Sequence, residues 1–168
     1  MMKVDLFREI CRSNVVHQRF GLCDDENGTP AYFTLDYEGS WIATVINNGS
    51  KTIHFTAIDN CIDMRRSKGE MDNRCDVMMV YDESLLLVEL KNKRKNWKQE
   101  GIEQIEATVK RIIKDHPVFY ERFKTRKAVV ANSKHRSPHF ESLDAELREK
   151  FNANFRLRLQ FESEIIIL

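Results

Sequence analysis

Asp76, Glu89 and Lys91 are two acids and an amine whose spacing suits one shared site. Glu89 and Lys91 stand two residues apart at the end of LLLVELK, residues 85–91, a run that otherwise reads as buried. Successive side chains on a strand point to opposite faces, so Leu85, Leu87, Glu89 and Lys91 share one face and Leu86, Val88 and Leu90 the other. A second apolar run, residues 76–81, precedes it across the polar turn Asp82-Glu83-Ser84, and the two runs read as a β-hairpin. With a two-residue turn, Asp76 falls opposite Glu89 or Lys91, depending on which turn residues are central, and shares their face either way. A three-residue loop would turn Asp76 to the other face. Singly, Asp76 fits a strand start or turn cap, and Glu89 with Lys91 fits a surface ion pair. Together, at the end of an apolar strand, they are costly unless paired or bound to metal. Carboxylates are hard ligands that suit Mg²⁺, which takes one or two of them with waters and substrate phosphate. Such an ion lowers the pKa of a bound water and offsets charge on a phosphate, while an ammonium orients that water or stabilises the transition state.

These residues need a scaffold, and the 168-residue chain is long enough to build it as one domain, residues 1–168, with a core of its own. Leu6, Phe7 and Ile10 predict a helix over residues 4–11, with Glu9 beside its apolar stripe. Residues 15–30 are irregular and end in a turn at 24–30. Strands are expected over residues 31–36, 41–46 and 52–57, the last two joined as a hairpin by Asn47-Asn48-Gly49-Ser50, with Gly49 taking positive φ. Ile102, Ile105, Val109, Ile112 and Ile113 mark a helix over residues 96–115, and Pro117 lies just past it. Residues 127–131 suit a buried parallel strand. Ser137-Pro138 opens a second helix, lined by Phe140, Leu143, Leu147 and Phe151, and residues 155–161 alternate as a last strand. This order is α/β: a mixed central β-sheet flanked by helices, with an N-terminal helix and a β-meander.

The formal net charge is only +1, so the distribution of charge carries the information. Residues 91–98, KNKRKNWK, are basic without an acid, and directly follow Glu89 and Lys91. Lys93, Arg94, Lys95 and Lys98, with Trp97 as a stacking surface, are the candidates for holding a nucleic-acid backbone. A second basic stretch covers Arg122, Lys124, Arg126 and Lys127 and continues at Lys134 and Arg136. His135 and His139 have zinc-compatible spacing but no partnered cysteines, so they read as a solvated or phosphate-facing loop. Cys11, Cys23, Cys61 and Cys75 are widely spaced and contain no CxxC pair, which reads as reduced thiols. No apolar run is long enough to span a bilayer and no signal-peptide pattern is evident, so the expectation is a cytoplasmic protein without a membrane partner.

Asp76, followed across the hairpin by Glu89-Leu90-Lys91, resembles the PD-(D/E)xK nuclease superfamily, the restriction-endonuclease-like fold. The likeness in element order runs from about residue 3 to residue 161, while the motif itself is a few residues. The resemblance implies Mg²⁺, with Mn²⁺ as a substitute, held by Asp76, Glu89 and the backbone carbonyl of Leu90, and a catalytic Lys91. It also implies a glutamine on the following helix, for which Gln104 is the candidate and Gln99 the lesser one. Exonuclease-related members often carry a tyrosine four residues after that glutamine, where this chain has Thr108. Some members add an acid from the first helix, for which Glu9 stands here, and Cys75 occupies the position of the motif's proline. The implied activity is phosphodiester hydrolysis, as an endonuclease on DNA before RNA, with a homodimer or larger complex where both strands are cut. The alternative is a nuclease-like fold serving as a non-catalytic nucleic-acid-binding or structural subunit. The intact acid, acid and lysine set speaks against that alternative.

Overall fold

The structure, a computed structural model, describes residues 2–136 and 142–168. A six-stranded sheet runs in the order β1 (Arg12–Val15), β5 (Ile53–Ala57), β6 (Val77–Tyr81), β7 (Ser84–Lys91), β8 (Thr125–Asn132), β9 (Arg158–Phe161). Its first four strands are antiparallel neighbours, and β7, β8 and β9 are parallel. A four-stranded sheet has the order β10 (Glu164–Ile166), β4 (Ala43–Ile46), β2 (Arg19–Cys23), β3 (Tyr32–Thr34). The α-helices among the described residues are α1 (Trp97–Asp115), α2 (Pro117–Glu121) and α3 (Ser142–Phe155). None of the helices among the described residues is long and apolar enough to cross a membrane.

The alternation along β7 sorts its residues between two cores. Leu85 and Leu87 pack with Met78 and Val130 against Ile105, Val109 and Ile112 of α1 and Phe151 of α3. Leu86, Val88 and Leu90 pack on the opposite face with Met79 and Val129 against Phe20, Leu22, Val45 and Ile165 of the second sheet. The central sheet therefore carries helices on one face and a second sheet on the other. Burial on both faces explains why residues 85–90 read as a continuous apolar run.

The central hairpin, α1 and the parallel β8 lie where the sequence pattern puts them, but the surroundings differ in four ways. The first residues form no α-helix: only Glu9–Cys11 makes a turn of 3₁₀ helix. Val4 and Leu6 are buried while Ile10 is 79% exposed, so the inward positions alternate instead of following a helical stripe. The Val4 N–H donates to Asp115 Oδ2 at 2.8 Å, and the Val4 carbonyl lies 2.6 Å from His116 Nε2. Partners at the end of α1 thus replace intrahelical bonds. Second, β4 and β5 form no hairpin and the early strands no meander, because these two strands lie in different sheets. The turn between them is locked by buried Asn47, whose Nδ2 donates to the His17 and Lys51 carbonyls at 3.2 and 2.9 Å. Ser50, not Gly49, takes the positive φ there, at 47°.

Third, Cys11 and Cys61 form a disulfide across 50 residues of sequence, while Cys23 and Cys75 are free and buried. The expectation of four reduced thiols fails because sequence spacing is blind to this proximity in space. The argument from thiols to the cytosol fails with it. Fourth, Phe155 ends α3 rather than beginning the last strand, and β1, β2 and β10 are strands that short or irregular patterns conceal. The expected helix start at Ser137-Pro138 and Phe140 lie outside the described residues, as does the side chain of Leu143. Leu147 and Phe151 pack inward from α3.

Close approach of α1 to the sheet depends on Gly101. A Cβ at this position would stand 2.5 Å from Val130 Cγ1 and 3.0 Å from its Cγ2. Gly to Ala within a helix ordinarily stabilises by up to about 1 kcal/mol. Here Gly101→Ala is expected to destabilise by about 1–3 kcal/mol through overpacking. Thermal or urea unfolding checks this: a midpoint equal to or above wild type contradicts the close approach.

Candidate active site

The turn between β6 and β7 has two central residues, Asp82 and Glu83, with Tyr81 opposite Ser84 and Val77 opposite Val88. One step further along this register, Asp76 faces Glu89. Both carboxylates sit on the α1 face, where β7 and β8 end, and both are almost wholly buried, at 3% and 2% exposed. The crevice outside the carboxyl ends of parallel strands is where open α/β sheets place their ligands.

Each group is tied in place. Asp76 Oδ2 accepts the Leu90 N–H at 2.7 Å. A residue's N–H and C=O leave a strand on the same edge, so the Leu90 carbonyl is directed to the same side as Asp76. Lys91 Nζ lies 3.0 Å from Glu89 Oε1 and donates to Gln104 Oε1 at 2.5 Å. Gln104 Nε2 in turn donates to the Arg74 carbonyl at 3.3 Å. The helix therefore holds the lysine from one end of a side-chain amide and the approach to Asp76 from the other.

Thr108 adds a second grip. Its Oγ1 accepts the Cys75 N–H at 2.7 Å and donates to the Gln104 carbonyl at 2.8 Å. Proline has no N–H to give. The two departures from the motif, Cys75 for proline and Thr108 for tyrosine, are thus bonded to one another. Arg74 and Asp59 were not singled out by their residue types; they form a partly buried ion pair at 3.0 Å beside the site. No spacing rule links a residue after β5 to one before β6.

The electrostatics follow from burial. Desolvation is the largest influence on Asp76 and pushes its carboxyl up to about 7, against the Leu90 N–H; the negative charges of Asp24 and Asp59 push the same way. Glu89 is driven well above the carboxylate range, first by burial and then by the charge of Asp76, with Lys91 opposing. Glu89 Oε2 is buried and has no hydrogen-bond partner among the described residues. An acceptor orphaned in this way is costly, and a hard cation would satisfy it.

Among the described residues no group of three or more His, Cys, Asp or Glu gathers to hold a metal. Asp76, Glu89 and the Leu90 carbonyl make a smaller set. Two carboxylates and a carbonyl, completed by water and phosphate, still match what Mg²⁺ takes. Glu9 is exposed, and among the described contacts nothing joins it to these residues. Gln99 is exposed and bonds to Glu103 at 2.8 Å rather than to the site.

The basic run divides. Arg94 and Lys95 are exposed, and Lys93 is held by Glu100 at 2.7 Å. Trp97 offers no free stacking face: it is 7% exposed, and its ring stacks on His135 with centroids 5.6 Å apart. Lys98 turns inward to Asp144 at 2.9 Å, over the ring of Phe161. Both are corrections to the expected contact set, and the cause is that α1 begins at residue 97 and carries its first turn onto the sheet. His135 serves that ring stack, and His139 lies outside the described residues. Comparisons with protein-family models, with curated proteins and with solved structures found no match for this chain.

Because the folded carboxyl of Asp76 lies above its unfolded value, the folded state keeps a proton that the unfolded chain releases. Its contribution to stability is complete below about pH 4 and lost as pH rises through about 7. Glu89 acts in the same direction. Without divalent cations, the melting temperature is expected to fall between about pH 5 and about pH 8, with a shallower fall in Asp76→Asn. A wild-type profile that is flat or rising over that range contradicts the buried, raised pair.

Proposed function

We propose that the chain is a metal-dependent nuclease of the PD-(D/E)xK superfamily, with a restriction-endonuclease-like core, that hydrolyses phosphodiester bonds, in DNA before RNA. The observation that carries this reading is the even hairpin register. It opposes Asp76 to Glu89 on the face where Lys91 is held between Glu89 and Gln104.

A bound Mg²⁺, or Mn²⁺ in its place, would polarise the phosphate and lower the pKa of the attacking water. The chain's own residues do the rest. The Leu90 N–H fixes the Asp76 carboxylate through Oδ2 and leaves Oδ1 to face the reacting centre. Glu89 supplies its unpartnered Oε2. Lys91 has three N–H donors; Glu89 and Gln104 occupy two, and the third, with Glu100 Oε2 beyond hydrogen-bond reach at 3.8 Å, serves to orient water or meet charge growing on the phosphate. Gln104 and Thr108 are positioning residues, since they hold Lys91 and the backbone ahead of Asp76. One such centre cuts one strand, so cleavage of a duplex calls for a homodimer or a larger complex.

Cleavage of single- and double-stranded DNA and of RNA with Mg²⁺ tests the proposal. Glu89→Gln and Lys91→Ala should each lose at least about 10²-fold in rate, the scale of removing one transition-state donor, with folding retained. Undiminished cleavage in either variant removes that residue from the mechanism. Binding of every substrate without cleavage by wild type favours a non-catalytic subunit.

A further inference from the structure

β7 and β8 are parallel and end together, with Lys91 beside Asn132. The loops that follow, residues 92–96 and 133–136, leave the same end of the sheet as Glu89 and Lys91. Asn132 is completely buried and bonds both loops. Its Nδ2 donates to the Lys93 carbonyl at 2.6 Å, and its Oδ1 accepts the N–H of Lys93 at 3.3 Å and of Lys134 at 3.0 Å. The Ser133 N–H donates to the Lys91 carbonyl at 2.9 Å, and the Ser133 hydroxyl bonds Asn92. The main chain of Asn132 is held by the hydroxyl of buried Ser163, and Trp97, from the start of α1, stacks on His135 of the second loop.

Two stretches far apart in sequence thus become one rigid rim. Neither stretch contains an acid. Arg94, Lys95 and Lys134 are exposed, and none has an ion-pair partner among the described residues. Exposed cations elsewhere are mixed: Arg19, Arg66 and Lys124 each hold a carboxylate, while Lys3, Lys68 and Lys114 are exposed without an ion-pair partner among the described residues. The rim is set apart by the Asn132 lock and its place beside Glu89 and Lys91. Unpaired cations fixed on rigid backbone at the mouth of a phosphodiester-cleaving site suit a row of phosphates rather than a base edge.

We propose that the 92–96 and 133–136 loops form a single phosphate-binding rim. It is locked by Asn132, with Lys134 a contact residue alongside Arg94 and Lys95, and it holds the sugar-phosphate backbone of the strand beside the scissile bond. In naming that strand as substrate, the proposal rests on the nuclease reading; the rim itself is tested without turnover.

The probe is a short labelled DNA oligonucleotide, single- and double-stranded, bound in EDTA while KCl is raised from about 50 to about 200 mM. Each rim cation that neutralises a phosphate contributes about 0.7–0.9 to the slope of log affinity against log salt. Lys134→Ala should flatten the slope by that amount, and Arg94→Ala/Lys95→Ala/Lys134→Ala by about 2–3. Lys114→Ala, near the far end of α1, should change nothing. Asn132→Ala keeps every rim charge and should weaken binding several-fold, with faster amide exchange at Lys93 and Lys134. Unchanged binding by Asn132→Ala removes the lock from the proposal.

A triple variant that keeps the wild-type slope overturns the rim, as does a wild type that binds poly-glutamate but no nucleic acid. Cleavage assays run alongside separate the two readings. If wild type and triple variant cleave equally well, the rim is wrong and the nuclease stands. If the triple variant loses binding and neither protein cleaves with Mg²⁺, the rim stands and hydrolysis falls.

Discussion

Two carboxylates face each other across the first rung beyond a β-hairpin ladder, buried to within a few per cent, with one ammonium between them and the helix. Most of what surrounds them serves to tolerate that arrangement. Burial disfavours the charged form of each and is the main reason both carboxyls are raised, and the charge of Asp76 pushes Glu89 further the same way. Lys91 relieves part of that cost. The remaining cost stays in the fold as a buried Glu89 oxygen without a hydrogen-bond partner among the described residues, a pattern associated with sites whose ligand completes them.

The sandwich explains how such a site is held still. The second sheet covers one face of β7 and α1 the other, so the backbone carrying Glu89, Leu90 and Lys91 cannot slip in register without moving apolar residues out of both cores. Gly101 lets α1 approach until Gln104 reaches Lys91 and Thr108 reaches Cys75. These contacts span β6, β7 and α1, which makes the site a property of their packing rather than of any one element. The loops beyond β7 and β8 apply the same economy: a buried asparagine fixes both and leaves Arg94, Lys95 and Lys134 exposed.

How much of this could be read from sequence depends on how local the cause is. The hairpin and α1 are written in short periodic patterns, but the face of Asp76 hinges on a turn length that the polar residues 82–84 leave open between two and three, and only the pairing of Tyr81 with Ser84 decides it. Gln104 was reachable because it lies on the helix that follows. The N-terminal segment shows the opposite: Leu6, Phe7 and Ile10 have helical spacing, yet the backbone of Val4 finds better partners at Asp115 and His116. Asn47 turns the chain into a different sheet through bonds to His17 and Lys51, which no local pattern announces. Cys11 and Cys61 meet only once β5 and the first turn are in place. Trp97 and Lys98 looked like solvent-facing members of a basic run because composition does not show where a helix begins to pack. Asn132 gave no signal at all, since its importance lies in joining loops about forty residues apart in sequence.

A raised, buried pair such as Asp76 and Glu89 should give up protons to take a hard divalent cation. Calorimetric titration of Mg²⁺ or Mn²⁺ into metal-free protein near pH 7, repeated in buffers of different ionisation enthalpy, measures affinity and proton release together. Wild type is expected to bind with protons released, and Asp76→Asn and Glu89→Gln to lose both binding and release. Equal binding by wild type and both variants, or binding with no proton released, would contradict that expectation.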